Sequence, residues 1–174
     1  MRSPGVPSVS ATDVDSAEER RGGSPARRLF SSPGGPAQDR CYAGRELMQS
    51  VSDVVGARLL PSGRQGTYSY YLRAGDYLGL HRDVDECDVA VITCLCNGAK
   101  TDGAGALQLY PRRILEPLSR IRSTPHEGLL SLHLRPGQSI VLLGGYVPHA
   151  TTAMADGQKR IISVLCFRGI GWAG

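Results

Sequence analysis

The apolar positions of this chain fall into two regimes. Between residues 42 and 60, Leu47, Met48, Val51, Val54, Val55 and Leu59 recur every three or four positions, and Pro61 follows them. That spacing gathers one apolar stripe on one face and predicts an amphipathic helix packed on the outside of a sheet. Beyond Ser62-Gly63 the pattern changes to short apolar runs at 67–73, 77–81, 89–97, 106–111, 129–134, 139–144, 149–154 and 160–168. Gly75-Asp76, Asn97-Gly98, Pro136-Gly137, Gly144-Gly145 and Asp156-Gly157 separate them. Eight short strands with Gly-rich turns predict a mainly-β, double-sheet jelly roll with one or two supporting N-terminal helices. Residues 112–128 carry Arg112, Arg113, Arg120 and Arg122 and are too polar for a strand. They read as a loop with a helical turn around 114–121, either plainly solvated or forming a basic rim for an anionic substrate.

Composition changes this picture at the N-terminus. Residues 1–38 are dominated by Pro, Gly, Ser and Arg. Such a segment buries too little apolar surface to offset the entropy of ordering it. It reads as a disordered tail, with a short helix at 12–21, ahead of a single domain at 39–174 whose core is 67–168. A length of 174 residues suits one domain, and 22 glycines with 41% hydrophobic residues favour β-structure rich in turns. The net charge of +4 is scattered, so it gives no stripe for nucleic acid. No run of about 18 apolar residues and no apolar leader is present, so neither a membrane span nor a signal peptide is expected. Cys41, Cys87, Cys94, Cys96 and Cys166 are odd in number and include no C-x-x-C pair. They indicate neither a disulfide framework nor a zinc knuckle, and a reducing, cytoplasmic location is the default.

The candidate chemistry starts at His81-Arg82-Asp83, at the end of a predicted strand. Residues two apart on a strand share a face, so the imidazole and the carboxylate can hold one ion together. His149, after the Gly144-Gly145 turn, is the natural third ligand. Two His and one carboxylate leave half of an octahedral shell open, the arrangement of non-haem Fe(II) oxygenases, although zinc accepts the same donors. Arg160, eleven residues after His149, opens the otherwise apolar last strand. An Arg pointing inward from such a strand needs an anion, and its planar fork suits a carboxylate.

Taken together, Tyr71, His81-x-Asp83, Gly105-Ala106-Leu107-x-Leu109-Tyr110-Pro111, Pro136-Gly137, Pro148-His149 and Arg160 resemble the Fe(II)/2-oxoglutarate-dependent dioxygenase superfamily. Within it, the prolyl-hydroxylase type is the most similar, and the resemblance covers roughly residues 67–168. It implies a double-stranded β-helix with the metal at one open end. It also implies Fe(II) on His81, Asp83 and His149, with the distal carboxylate of 2-oxoglutarate on Arg160 and Tyr71. O2 would be the second co-substrate and ascorbate a stimulant. The family often places Ser or Thr two residues after the Arg. This chain has Ile162 there and Ser163 one further, which makes Ser163 a second-choice partner of the carboxylate. Arg168 shares the strand parity of Arg160 and is the second-choice anchor. Related halogenases replace the metal carboxylate with a small residue, so Asp83 favours hydroxylation.

The expected activity is hydroxylation of an amino acid, a peptide-like molecule or a natural product, coupled to decarboxylation of 2-oxoglutarate to succinate. Modification of a protein side chain is the nearest alternative. A cupin-like enzyme independent of 2-oxoglutarate and a catalytically silent binding domain are the other readings. His-x-Asp in place of the cupin His-x-His argues against the first, and the intact His, Asp, His and Arg set argues against the second.

Overall fold

The computed structural model describes residues 21, 24–62, 66–98 and 103–171. Eleven strands and three helices are found among them. The strands are β1 (Arg27–Arg28), β2 (Phe30–Pro33), β3 (Leu59–Pro61), β4 (Thr67–Tyr71), β5 (Tyr77–His81) and β6 (Val89–Asn97), followed by β7 (Leu107–Leu109), β8 (Leu130–Leu132), β9 (Ser139–Leu142), β10 (His149–Thr151) and β11 (Arg160–Gly169). The helices are α1 (Pro36–Ala43), α2 (Arg45–Val55) and α3 (Leu118–Ser123).

One sheet has the order β1-β5-β10-β7-β8, and the other β2-β4-β11-β6-β9, with β3 also paired to β11. Every pairing is antiparallel. From β4 onward the chain repeatedly crosses between the sheets, which makes a double-stranded β-helix. The inner faces enclose a core that includes Tyr71, Ala90, Ile92, Leu107, Leu142 and Ile162. The alternation of β11 accounts for this division. Ile162 and Val164 face the interior cavity, while Leu165 and Phe167 join Val89, Val91 and Val51 in a second core under the helices.

All eight strands expected between 67 and 168 are present. The single helix expected at 42–60 is instead two helices and a strand. Pro36 opens α1, extended Gly44 (φ −69°, ψ 116°) separates it from α2, and Gly56 ends α2 in the left-handed region (φ 72°). Gly56 tolerates that φ because it has no Cβ, so the stop comes before Pro61, and Leu59–Pro61 is free to pair with β11. Leu47, Met48, Val51 and Val55 lie on the sheet's outer face as expected, while Val54 is 72% exposed.

The tail boundary expected near residue 38 also moves. β1 pairs with β5, β2 pairs with β4, and α1 docks through Gln38, so residues 27–38 belong to the folded unit. Residues 1–20, including nearly all of the helix expected at 12–21, lie outside the described residues.

A disulfide was not expected, yet Cys87 and Cys166 form one across 79 residues of chain. Cysteine spacing could not reveal it, because the pair meets only when the start of β6 lies beside the end of β11. Cys94 is buried and Cys96 partly buried, in keeping with the apolar run that holds them.

Candidate metal centre and anion pocket

β5 and β10 are neighbours in register, with His81 opposite His149. The two rings lie 4.2 Å apart. Each ring is fixed by the same local device: His81 Nδ1 lies 2.8 Å from the Gly79 carbonyl and His149 Nδ1 lies 2.9 Å from the Val147 carbonyl. A carbonyl can only accept, so each Nδ1 carries the proton and each Nε2 presents a lone pair. Both Nε2 atoms face Asp83 Oδ1, at 3.6 Å from His81 and 3.7 Å from His149. One donor atom from each of the three residues lies within 4.8 Å of the others.

Asp83 lies two residues beyond the end of β5, and its N–H donates to the Gly144 carbonyl at 2.8 Å. A Cβ at Gly144 would collide with Asp83 Oδ2, so the turn before His149 has to be glycine here. Electrostatics agree with a ligand set. Burial, then the proximity of His81, brings the His149 pKa down to about 4, so this ring is neutral at physiological pH. Burial opposes ionisation of Asp83, but its close imidazole neighbours and the Arg21 guanidinium hold its carboxyl below the usual carboxylate value. Two imidazoles whose Nε2 atoms converge on one carboxylate fit a divalent transition ion, Fe(II) and Zn(II) alike.

Arg160 sits behind this cluster, 1% exposed. Its Nη1 donates to Thr151 Oγ1 at 3.1 Å, and its guanidinium lies 5.3 Å from the Tyr71 ring. Tyr71 is its cross-strand partner, and the Tyr71 hydroxyl lies 3.5 Å from the same Thr151 oxygen. No carboxylate pairs with Arg160 among the described residues. A buried guanidinium that meets only neutral groups among the described residues, the Thr151 hydroxyl and Tyr71, is chemically suited to an anion. Burial lowers the Arg160 pKa and raises that of Tyr71, so the phenol stays protonated and can donate. A single cavity of about 60 Å³ touches His81, Asp83, His149, Tyr71, Thr151 and Arg160.

The second-choice residues lie elsewhere. Ser163 points to the outer face, where its hydroxyl takes a 2.6 Å hydrogen bond from Gln38 Nε2. Arg168 has the parity of Arg160 but lies near the other end of β11, exposed and opposite Leu60 of β3. Where Ile162 has no hydroxyl, Thr151 of the neighbouring sheet places one 3.1 Å from Arg160 Nη1. Its signal was legible, since a residue two after His149 on a strand shares its face.

Nor is Arg113 part of a basic rim. It is 5% exposed and saturated by Glu116, Thr124 and loop carbonyls. Arg82, between the two ligands, donates to the carbonyls of Tyr146 (3.1 Å), Ile114 (3.0 Å) and Glu116 (2.8 Å), and so pins that loop beside the metal end. A larger apolar groove of about 430 Å³ lies on the opposite face of the β11 sheet, under α1 and α2. It holds none of His81, Asp83, His149, Tyr71, Thr151 and Arg160 and is not the site.

Comparison with solved structures places this architecture. The fold is that of 2-oxoglutarate/Fe(II) oxygenases. A Pseudomonas putida prolyl-4-hydroxylase aligns at TM-score 0.53 and 18% identity, over 84% of this chain and 74% of that one. HygX from Streptomyces hygroscopicus, with iron bound, aligns at TM-score 0.64 and 15% identity, over 84% and 74%. EctD from S. alaskensis, with 2-oxoglutarate and 5-hydroxyectoine, aligns at TM-score 0.62 and 14% identity, over 82% and 56%. The chain therefore spans between about half and three quarters of the length of these proteins. No family model and no curated protein sequence matches the chain.

Proposed function

We propose that this chain is an Fe(II)- and 2-oxoglutarate-dependent dioxygenase that hydroxylates an amino acid, a peptide-like molecule or a small natural product. One observation carries the reading. A His, Asp, His cluster and a buried arginine with no carboxylate partner among the described residues open onto the same cavity. A metal site alone would suit many chemistries; the second, cationic end asks for an anionic co-substrate that reaches from one to the other.

His81, Asp83 and His149 would hold Fe(II) through their converging donor atoms. Bound there, the iron and 2-oxoglutarate would supply the oxidising chemistry, with O2 consumed and succinate and carbon dioxide released. The remaining work belongs to the protein. Arg160 would bind the far carboxylate of 2-oxoglutarate, and Thr151 and Tyr71 would donate hydroxyl hydrogen bonds to it. Those contacts orient the 2-oxo acid end toward the triad. The buried walls, including Ile92, Leu107 and Ile162, exclude water from that path. Retention of a carboxylate at position 83 supports hydroxylation over halogenation. The prolyl-4-hydroxylase and the EctD complex with 5-hydroxyectoine share this fold, which supports a small or peptide-like substrate.

The test is formation of succinate from 2-oxoglutarate by iron-loaded protein in air, during a screen of free amino acids, prolyl peptides and small natural products. A slow uncoupled rate should rise with a matching substrate and vanish in Asp83→Ala. Turnover no greater than that of Asp83→Ala across the whole screen would overturn the proposal.

A further inference from the structure

Asp83 is the one metal-site residue that does not lie on a strand. Its Oδ1 faces the two imidazoles, while its Oδ2 faces Gly144 and lies 3.7 Å from Cys87 Sγ. Cys87 closes a tight turn, its N–H donating to the Val84 carbonyl at 2.8 Å, and is fully buried in the inner core. Its disulfide partner, Cys166, lies on β11, the strand that begins with Arg160, and their Cα atoms are 4.9 Å apart. The cross-link thus ties the loop that carries the metal carboxylate to the strand that carries the anion anchor. We infer that the Cys87–Cys166 disulfide positions Asp83, and that metal affinity at His81, Asp83 and His149 follows the redox state of this pair. The inference rests on the metal-site reading above and adds a control to it.

Two consequences of reduction act in the same direction. A dithiol would give up two electrons and two protons and close to its own disulfide, while the Cys87–Cys166 bond breaks to leave two thiols. The loop then loses its covalent tie to β11. In addition, a sulfur that can only touch Asp83 Oδ2 becomes an S–H that donates to it, competing with the metal for the carboxylate. The fold itself should survive. β6 and β11 stay paired along eight registered positions. Asp88 still anchors the loop end through its N–H to the Phe167 carbonyl (3.0 Å) and its Oδ2 to the Gly169 N–H (2.8 Å). Reduction is therefore expected to loosen the carboxylate without unfolding the domain. Supporting groups around metal ligands typically change affinity by about 10- to 100-fold.

The experiment compares full-length wild-type protein in oxidised form, the same protein reduced by a dithiol and desalted anaerobically, and Cys166→Ser. Each is titrated with Co(II) or Fe(II) alone, and its thermal unfolding is recorded without metal. Thiol counting in denaturant should give three reactive thiols for the oxidised form and five after reduction. The expected result is a metal Kd raised about 10- to 100-fold in the reduced protein and in Cys166→Ser, with cooperative unfolding retained. A disulfide that only stabilises the fold would lower the unfolding temperature and leave Kd unchanged, and that result would overturn the inference. Five thiols in air-oxidised protein would overturn it as well. Absence of metal binding in every form would instead sink the metal site itself. Should Cys166→Ser fail to fold, the reduced wild type carries the comparison.

Discussion

Arg113 and Arg160 are both buried, at 5% and 1% exposure, and they could hardly be treated more differently by their surroundings. Arg113 spends its donors on both Glu116 oxygens, the Thr124 hydroxyl and the carbonyls of Thr124, Glu127 and Arg120. It is a knot that gives residues 112–128 a shape. Arg160 donates to one hydroxyl and faces a cavity shared with three metal-ligand candidates. A saturated buried arginine is part of the fold, whereas an unsaturated one is held ready for something the fold does not provide. The difference separates structure from function more sharply than burial or charge does.

Substitution should pull the two apart. The largest effect is expected for Arg160→Ala, which should weaken 2-oxoglutarate binding by about 100-fold, since it removes the charged partner of a buried ion pair. The apo protein should stay at least as stable, because a buried charge without a partner is removed; calorimetry with and without ligand reads both quantities. Arg113→Ala should do the reverse, lowering the unfolding temperature by several degrees while co-substrate affinity in the surviving fold stays near wild type. A loss of affinity in Arg113→Ala equal to that in Arg160→Ala would erase the distinction.

Smaller changes sharpen it. Thr151→Val keeps the shape of the anion pocket and deletes the hydroxyl, so 2-oxoglutarate affinity should fall by about 10-fold, with the metal Kd unchanged in the same titration. Acid should reach the Arg113 knot gently. The Arg113 hydrogen bond holds Glu116 below its usual carboxylate value, so its contribution is present above that value and fades as pH falls through the lowered one. Glu116 is partly exposed and screened, so the expected sign is modestly faster proteolysis within 112–128 at acid pH, and none in Glu116→Gln.

How much of this was legible in the sequence differs by element. The strands from β4 to β11 declared themselves because inner and outer faces want different residues, as Ile162 and Leu165 illustrate. β1, β2 and β3 did not. They are short edge strands such as Phe30-Ser-Ser-Pro33, and their order comes from the neighbours β5, β4 and β11 rather than from their own composition. The helix at 42–60 was overextended because apolar spacing continued through Leu59, while Gly56 had already turned the backbone. In the site, His81, Asp83, His149 and Arg160 follow from order and spacing and Tyr71 from the family resemblance, and the structure brings them around one cavity. Thr151 was missed because the hydroxyl was sought on β11 and is delivered by β10. The Cys87–Cys166 bond needed the β6–β11 register, which no local pattern contains.

The central claim is that the triad and Arg160 form the two ends of one site. Its most direct test is the visible absorption of anaerobic protein loaded with Fe(II) and titrated with 2-oxoglutarate. Wild type and Arg113→Ala should develop the charge-transfer band of a 2-oxo acid chelated to Fe(II) at similar concentrations. Arg160→Ala should need about 100-fold more co-substrate to reach it. A fully iron-loaded wild type without the band, or an Arg160→Ala titration that overlays the wild type, would contradict the account.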